Sequence, residues 1–458
     1  MKHTFDAVVV GAGQAGPFLA VRLAESGRKV ALVEREFFGG TCVNTGCTPT
    51  KAMVACAHSA HLARRGADFG VHVDRVRVDL REVRSRAEKI VLNSRNGQEK
   101  WVSGTANCTV FKGTAVFESP RVLRVGEDRL EAPQIFLNVG ARPAIPPLDG
   151  VDSLPFLTSS TILQLEQLPS HLIVVGGGYV GLEFAQMFRR FGSQVTVVDR
   201  KPRLASHEDE EASQVIGEIF ADEDIAVRLS ADCIHLAKSS DHISVGVECD
   251  EGSRHISGSH VLLAVGRTPN TDDLNLSAAG VAVDDGGFIT VDDQLRTSAE
   301  GIFALGDCNG RGAFTHTSYN DYEIVADNLL AGALRRVSDR IPAHALYIDP
   351  PLAQVGMTEE QVRHSGRKAL IGHRPMTRVS RAIEKGETFG FMKILVDADT
   401  RQILGATLFG TGADEAIHCI LTAMYARQPA GQLARSMHIH PTVAELIPTV
   451  LGELKPFS

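Results

Sequence analysis

The sequence predicts an α/β protein of several domains, in which two parallel sheets are built in the same way. Short β-branched runs lead into glycine-rich turns and then helices, and this pattern appears first at Gly11 and again at Gly176. The chain has 458 residues, which is more than one ordinary hydrophobic core organises. We therefore expect two to four domains.

The composition is typical of a soluble globular protein, with 43% hydrophobic and 22% charged residues. The net charge of −8 and the lack of a basic run argue against nucleic acid as the main partner. No apolar stretch approaches the roughly 20 residues that cross a membrane. The apolar run near the N-terminus leads into a glycine motif rather than a cleavage site, so we expect a cytoplasmic protein.

The first unit begins with a buried strand over residues 6–10 and continues into Gly11, Gly13 and Gly16, spaced as G-x-G-x-x-G. Gly11 permits a tight turn, Gly13 lets the backbone approach a pyrophosphate, and Gly16 lets the helix pack on the strand. After that helix, a second strand ends on Glu34, whose carboxylate can accept hydrogen bonds from ribose hydroxyls.

The second unit repeats this order with Gly176, Gly178 and Gly181, and its second strand ends on Asp199. One glycine motif alone is a weak signal, because glycine-rich turns are common. Strand, glycines, helix, strand and acid in the same order twice indicate two Rossmann-like domains that bind two dinucleotides.

Two further segments resemble each other, IFLNVGARP with Gly140 and VLLAVGRTP with Gly266. We expect each segment to be the strand that ends the first passage of the chain through its nucleotide domain. The segment GIFALGDC contains Asp307, whose acid could reach a ribityl or phosphate group. A plain Gly-Asp turn is the alternative reading of that segment.

Cys42 and Cys47 lie in GGTCVNTGCTPTK, and their spacing fits neither a zinc site nor a thioredoxin motif, so no metal site is predicted. A helix that starts near Cys42 would place the sulfurs about one turn apart. Its dipole would lower the pKa of the thiols, and Lys51 would lie on the same face as Cys47. Two structural cysteines are the alternative, but the position directly after a dinucleotide unit favours a redox pair.

The other cysteines are scattered, and a disulfide framework is not expected in a cytosolic chain. We predict that they are small buried hydrophobic residues. They are Cys56, Cys108, Cys233, Cys249, Cys308 and Cys419.

Together these motifs resemble those of the class I flavoprotein pyridine nucleotide-disulfide oxidoreductases, which include dihydrolipoamide dehydrogenase, glutathione reductase and mercuric reductase. GAGQAG is similar to their FAD unit, GGGYVGLE to their nicotinamide unit, GIFALGDC to their second FAD contact, and HIHPTVAE to their catalytic His-Glu segment. The resemblance covers essentially the whole chain, and it implies that electrons pass from a nicotinamide cofactor through FAD to the cysteine pair.

The resemblance also implies roles for single residues. Cys47 would lie beside the flavin in a charge-transfer contact, and Cys42 would exchange with the substrate. Lys51 would lie near flavin N5 and pair with Glu183. Tyr179 resembles the tyrosine that covers the nicotinamide pocket in glutathione reductase.

The predicted cofactor contacts divide between the two nucleotides. For FAD they are Gly11, Gly13, Gly16, Glu34, Lys51, Ala115, Gly140, Asp307, Ala313 and His316. For the nicotinamide cofactor they are Gly176, Gly178, Tyr179, Gly181, Asp199 and Gly266.

The family's acid-base histidine corresponds to His440, oriented by Glu445 and supplied by the other subunit, which implies a homodimer with a shared active site. The residues alone leave His438 as an alternative. Pro441 can open a helix that carries Glu445 one turn in, and a carboxylate there would support a base near neutral pH.

Some features of the sequence depart from the pattern of the mercuric reductases. AFTHTSYNDYEIV and IHPTVAELIPT are similar to mercuric reductases, but the chain ends LGELKPFS without their vicinal cysteines, and its FAD motif already begins at Gly11. We expect a small disulfide or dithiol substrate that meets Cys42 directly. The alternatives are a flavin-dependent reductase of metal ions, quinones or oxygen, and a redox-sensing flavoprotein.

Asp199 favours NADH, because a carboxylate repels a 2′-phosphate. Arg200, Lys201 and Arg203 keep NADPH open. We predict an FAD-binding domain at 1–149 and 267–340, an NAD(P)-binding domain at 150–266, and an α+β dimerisation domain at 341–458.

Overall fold

The computed structural model describes residues 1–238, 243–248 and 255–457, without the side chains of residues 233, 238 and 248. The predicted burial of the Cys233 side chain and of Cys249 therefore lies outside the described residues. In chain order the strands are β1 (Lys2–Thr4), β2 (Ala7–Val10), β3 (Val30–Glu34), β4 (Cys108–Lys112), β5 (Ala115–Ser119), β6 (Val122–Val125), β7 (Asp128–Glu131), β8 (Gln134–Leu137), β9 (Ala141–Pro143), β10 (His171–Val175), β11 (Gln194–Val198), β12 (Ala226–Arg228), β13 (Asp232–Lys238), β14 (Ile243–Glu248), β15 (His255–Gly258), β16 (His260–Leu263), β17 (Arg267–Pro269), β18 (Ile302–Ala304), β19 (Ala343–Leu346), β20 (Leu352–Gly356), β21 (Ala369–Pro375), β22 (Phe391–Asp397), β23 (Ile403–Phe409) and β24 (Lys455–Phe457).

Helices alternate with these strands along most of the chain. They are α1 (Gly16–Glu25), α2 (Gly40–Asn44), α3 (Cys47–Arg64), α4 (Leu80–Ser103), α5 (Tyr179–Phe191), α6 (Glu210–Asp222), α7 (Thr315–Ala331), α8 (Glu359–His364), α9 (Ser380–Glu384), α10 (Ala413–Tyr425), α11 (Ala430–Ala434) and α12 (Ile447–Gly452). In the described ranges, none of the helices is long and apolar enough to cross a bilayer.

The first glycine motif follows the central strand of a five-stranded parallel sheet, ordered β18-β8-β2-β3-β4. Every residue of β2 is buried, as expected for a parallel strand covered on both faces. Val9 packs in one core with Leu19 of α1, and Val8 packs in another with Phe117 of β5. The alternation along the strand thus places α1 on one face and the β1-β7-β6-β5 sheet on the other.

The second glycine motif stands in an equivalent parallel sheet, ordered β12-β11-β10-β16. Val174 packs with Leu182 of α5 on one face, and Val175 packs with Val245 of β14 on the other. The repeat in the sequence is therefore a repeat in the fold, which confirms the predicted α/β class with two dinucleotide-binding units.

The two segments that resemble each other meet directly. After Gly140 and Gly266 the chain forms β9 and β17, which pair antiparallel with Thr268 opposite Arg142. This short pair joins the two nucleotide units at the points where the chain passes between them.

The C-terminal part forms a six-stranded antiparallel sheet, ordered β19-β20-β23-β22-β21-β24. The core between this sheet, α10 and α12 contains Ile394, Leu408, Ile417 and Ile447. This agrees with the predicted α+β composition of that part. The predicted domain boundaries remain predictions.

The burial predicted for the scattered cysteines is only partly correct. Cys308 is buried, but Cys56, Cys108 and Cys419 are half-buried. Cys108 begins β4, which is the edge strand of its sheet, so one side of it is left uncovered by a neighbouring strand.

A close helix–strand contact in the second unit leads to a stability prediction. A Cβ added to Gly181 would lie 2.0 Å from the carbonyl oxygen of Gly176. We expect Gly181→Ala to lower the free energy of unfolding by roughly 1–3 kcal/mol, because overpacking forces α5 away from β10.

Gly217 in α6 provides the matched control, since a Cβ there meets no atom within 4 Å. We expect Gly217→Ala to raise the free energy of unfolding by about 0.5–1 kcal/mol through helix propensity. Thermal and urea unfolding of both variants measures the difference. Equal stabilities would contradict the close approach of α5 to the glycine turn.

Candidate active site

A cavity of about 1610 Å³ opens between the two glycine turns. Most of the predicted site residues line it, and they are Gly11, Gly13, Glu34, Cys42, Cys47, Lys51, Ala115, Gly140, Gly176, Gly178, Tyr179, Glu183, Asp199, Gly266, Asp307, Ala313 and His316. Gly16 and Gly181 lie behind the lining, where a Cβ would meet the carbonyl oxygen of Gly11 or Gly176 at 2.0 Å. His440 and Glu445 do not belong to the lining.

Asn138 holds the first glycine turn, and sequence reasoning missed it. Its Oδ1 accepts the amides of Ala15 at 3.3 Å and Gly16 at 3.0 Å, while its Nδ2 donates to the carbonyl of Leu305 at 3.0 Å. Gly11, with φ of +101°, brings its Cα so close that a Cβ would lie 2.3 Å from the Asn138 carbonyl oxygen. The available signal was the asparagine of IFLNVGARP, where VLLAVGRTP has alanine.

Glu34 and Asp199 support the two turns in the same way. One carboxylate oxygen accepts the amide that follows the first glycine, from Ala12 at 2.7 Å and from Gly177 at 2.5 Å. The other oxygen accepts the amide two residues after the acid, at 2.8 Å in both units. A carboxylate oxygen accepts more than one hydrogen bond, so both acids can also receive ribose hydroxyls at the cavity wall.

The cysteine pair spans two helices, and the prediction of one helix starting near Cys42 is wrong. Helix α2 ends at Asn44, and α3 begins at Cys47. Gly46 lies at the break, where a Cβ would come within 2.9 Å of the Thr41 carbonyl oxygen. The chain turns sharply there, and Cys47 is the first residue of a separate 18-residue helix.

The two thiols have opposite acidities. The hydrogen bond from Cys42 lowers the pKa of Cys47 to about 6, with further support from the hydroxyl of Thr315 and the charge of Lys51. The hydrogen bond that Cys42 donates to Cys47 raises the pKa of Cys42, and burial and the negative charge on Cys47 raise it further. In the reduced protein at neutral pH, Cys47 is therefore the thiolate and Cys42 the thiol. Thr315 lies in the stretch from Ala313 to His316 that the resemblance assigns to FAD, but its contact with Cys47, 3.4 Å from Oγ1 to the sulfur, was not predicted.

Lys51 and Glu183 form an ion pair next to the cysteines. Lys51 Nζ lies 2.6 Å from Glu183 Oε2, and Glu183 Oε1 accepts the amide of Tyr347 at 3.0 Å. The Lys51 ammonium also lies 4.8 Å from the centre of the Tyr347 ring, within cation–π range. This pair connects the cysteine helix α3 to α5 of the second nucleotide unit.

Asp307 faces the cavity beside Arg267. Burial raises the pKa of its carboxyl group, and Arg267 Nε lies 3.4 Å from its Oδ2. Within the described part of the chain, that buried Nε has no hydrogen-bond partner. Gly140 and Gly266 border the cavity, and a Cβ on either would meet no atom within 4 Å. Under-satisfied polar groups beside bare backbone fit a hydroxyl-rich ligand such as the ribityl chain of FAD.

Tyr179 begins α5, and its hydroxyl donates to the carboxylate of Glu208. His344 Nε2 lies 2.8 Å from the same oxygen, Glu208 Oε1. Close to them, His316 stacks on Phe314 with ring centres 5.4 Å apart. Glu208 and His344 do not belong to any sequence motif, and neither was predicted as a site residue.

His440 and Glu445 form a pair away from the cavity. His440 Nδ1 lies 3.0 Å from Glu445 Oε2, and 75% of the His440 side chain is exposed. His438 Nδ1 instead lies 3.1 Å from the Ser436 carbonyl oxygen. Of the two histidines, it is therefore His440 that meets the carboxylate.

The helix expected to open at Pro441 is absent, and that expectation is wrong. A 3₁₀ turn, Ala444–Leu446, comes first and leads into α12. Thr442 Oγ1 donates to the Ile439 carbonyl at 2.7 Å and accepts the Glu445 amide at 3.2 Å. Such side-chain bonds to the local backbone compete with a regular helix.

Across the ranges that the structure describes, no group of three or more His, Cys, Asp or Glu side chains is arranged to hold a metal ion.

Comparison with known proteins places this geometry in a family. The profile described as pyridine nucleotide-disulphide oxidoreductase matches residues 5–321, and the dimerisation domain of the same family matches residues 342–451. RclA of Escherichia coli (strain K12), a probable pyridine nucleotide-disulfide oxidoreductase, is 35% identical over 99% of this chain and 100% of its own length.

Other relatives are similarly close. A mercuric reductase of Streptomyces lividans is 34% identical, and a dihydrolipoyl dehydrogenase of Chlorobaculum parvum (strain DSM 263 / NCIMB 8327) is 35% identical; each match covers 97% of this chain and 95% of the relative. The solved Cu(II) complex of the HOCl-induced flavoprotein disulfide reductase RclA from Escherichia coli superposes with a TM-score of 0.89. That match has 32% identity and covers 98% of this chain and 99% of the other.

The family uses FAD and a pyridine nucleotide, and its dimerisation domain is present here. The two glycine turns, the cysteine pair and the matches along nearly the whole length lead to one conclusion. The chain belongs to the pyridine nucleotide-disulphide oxidoreductase family, as an FAD-dependent NAD(P)H oxidoreductase of the disulfide reductase type.

Proposed function

We propose that the enzyme reduces a small disulfide, or oxidises a small dithiol in the reverse direction, with Cys42 and Cys47 as the electron outlet. The observation that carries this proposal is the pair of adjacent thiols with opposite acidities at the cavity wall. A structural pair of cysteines has no need of a stabilised thiolate, whereas a redox pair does.

The residues that would hold FAD are the first glycine turn, Glu34, Asp307 and the backbone around Gly140. Bound there, FAD supplies two-electron exchange between the nicotinamide and the cysteine disulfide. The disulfide takes up two electrons and one proton, which leaves the Cys47 thiolate and the Cys42 thiol. Lys51 balances the charge of that thiolate, and Glu183 holds Lys51 in position.

Substrate reduction begins at Cys42. Its raised pKa means that it needs a base, and we assign this role to His440, supported by Glu445. The Cys42 thiolate attacks one substrate sulfur, and the protonated imidazole delivers the proton to the departing thiolate. The Cys47 thiolate then attacks the Cys42 sulfur of the mixed disulfide, which restores the disulfide and releases the second product as a thiolate that takes a proton from water.

We propose that His440 acts in the active site of a second copy of the chain. Met437 is 100% exposed and Ile439 is 80% exposed beside it, which is unusual for large apolar side chains unless a partner covers them. The reductant that we propose is NADH, because Asp199 stands at the wall where a 2′-phosphate would be repelled. The proposed location is the cytoplasm, where thiols are kept reduced.

Reduction of Cu(II) is a second candidate, because the RclA relative has been solved as a Cu(II) complex. A dithiol that closes to the Cys42–Cys47 disulfide releases two electrons, enough to convert two Cu(II) ions to Cu(I). Turnover with a panel of disulfides, quinones and Cu(II) ranks these acceptors.

Anaerobic titration tests the central proposal. We expect the oxidised FAD-loaded enzyme to take up two electron pairs from NADH per FAD, with a long-wavelength charge-transfer band after the first pair. Cys47→Ser should take up one pair without the band. Cys56→Ser, which changes a half-buried cysteine outside the cavity, should behave as the native enzyme does. Uptake of a single pair by the native enzyme would refute the mechanism.

The origin of the low pKa of Cys47 can be tested with two replacements of Cys42. Both Cys42→Ser and Cys42→Ala remove the disulfide, but serine keeps a hydroxyl that donates to the thiolate. In Cys42→Ser the thiolate should persist down to about pH 6, since a lowered pKa keeps it charged above that value. In Cys42→Ala we expect loss of the thiolate at a clearly higher pH.

The measurement is the charge-transfer absorbance of each variant against pH, with the alkylation rate of Cys47 as a second readout. The same midpoint in both variants would show that the hydrogen bond from Cys42 is not the cause.

Subunit mixing tests the shared site. In a dimer of one Cys42→Ser chain and one His440→Gln chain, a shared arrangement restores one intact site, whereas a site within one chain restores none. Coexpression of the two inactive variants in equal amounts should recover about a quarter of the native disulfide reductase activity if dimers form at random. No recovery in purified mixed dimers would contradict a shared site.

A further inference from the structure

Two consecutive acids, Glu208 and Asp209, lie between the second nucleotide unit and the C-terminal sheet, and they are 4% and 8% exposed. His344 of β19 places its Nε2 2.8 Å from Glu208 Oε1. Lys393 of β22 places its Nζ 2.9 Å from Asp209 Oδ2, and the amide of Glu359 donates to Asp209 Oδ1 at 3.0 Å. Residues of the C-terminal sheet and its α8 helix therefore hold this turn in place.

Glu208 in turn receives the hydroxyl of Tyr179 on the oxygen that already accepts His344. Burial and the negative charge of Glu208 raise the pKa of Tyr179, so the hydroxyl keeps its proton and donates. The Tyr179 ring also lies 5.6 Å from the His344 ring and 6.4 Å from the Phe314 ring, measured between centres. The tyrosine is thus held by a charged acceptor and by two neighbouring rings.

Tyr179 stands between the second glycine turn and the redox sulfurs. Its neighbour Phe314 directly precedes Thr315, whose hydroxyl oxygen lies 3.4 Å from the Cys47 sulfur. On the other side, Asp199 supports the glycine turn that Tyr179 follows. A dinucleotide that binds its adenosine end at Asp199 and delivers electrons towards Cys47 has to extend past Tyr179.

We propose that Glu208, supported by His344, is a positioning residue that holds Tyr179 across the nicotinamide end of the cavity, so that nicotinamide binding breaks the Tyr179–Glu208 hydrogen bond. This inference rests on the proposed function, because it requires a nicotinamide dinucleotide in this cavity. When only a fraction of the molecules is competent to bind, the apparent affinity falls by that fraction. The hydrogen bond therefore weakens dinucleotide binding, and its removal strengthens it.

Tyr179→Phe is the direct test, because it removes the hydroxyl and keeps the ring. We expect the Kd of NAD⁺ for the oxidised FAD-loaded enzyme, measured by isothermal titration calorimetry, to fall about tenfold, as for loss of a hydrogen bond to a charged acceptor. Glu208→Gln keeps a neutral acceptor, so its Kd should fall less, by about threefold. ADP-ribose, which lacks the nicotinamide, should bind both variants and the native enzyme equally.

Tyr322→Phe is the matched control, since it removes a tyrosine hydroxyl from α7 outside the cavity. Its NAD⁺ affinity should equal that of the native enzyme. Unchanged or weaker NAD⁺ binding by Tyr179→Phe overturns the proposal. A parallel change in ADP-ribose binding overturns it as well, because the whole nucleotide site would then have been disturbed. If the native enzyme binds neither ligand, the proposed function fails together with this inference.

Discussion

The contact between helix and strand at the two glycine turns is the constraint on which the rest of the structure depends. In each unit the third glycine of the motif lies very close to the first glycine. A Cβ added to the third glycine would lie 2.0 Å from the carbonyl oxygen of the first. This approach directs the N-terminal ends of α1 and α5 to the carboxyl edges of their sheets, where ligands bind in open α/β folds. Because β9 and β17 join the two units, both edges open onto one cavity.

The chemistry at that cavity depends on the break between helices α2 and α3. If α2 and α3 were one helix, both sulfurs would share one helical environment, and little would distinguish their acidities. The break at Gly46 makes Cys47 the first residue of α3, next to Lys51 and the hydroxyl of Thr315. Cys42 is the donor in the hydrogen bond between the two thiols, and that bond, together with burial, keeps Cys42 protonated. The different surroundings of two residues of the same type thus make Cys47 the thiolate and Cys42 the thiol.

The C-terminal domain contributes more than a surface for dimer formation. Within one chain, His344 and Lys393 hold the turn at Glu208 and Asp209, and through it the tyrosine of the second glycine motif. The same domain presents His440 and Glu445 on an exposed segment, outside the cavity of its own chain. Both halves of the reaction, dinucleotide binding and disulfide exchange, therefore involve side chains from this domain in the proposed mechanism.

The sequence by itself determined the elements whose residue types follow from local backbone geometry. Gly11 and Gly176 are needed where φ is positive and the backbone nearly touches a carbonyl, and β2 and β10 read as buried strands because both faces are covered. The cysteine motif could be recognised for the same reason, as a short continuous segment. Only the tertiary structure decided which side chains act on these elements. Asn138, Thr315, Glu208 and His344 come from distant parts of the chain. Asn138 and Thr315 lie in segments that the sequence singled out, but their contacts do not show there, and Glu208 and His344 belong to no motif. The break between α2 and α3, and the opposite acidities of the two thiols, also appear only in the folded chain, because burial and neighbouring charges set a pKa and sequence spacing does not reveal them.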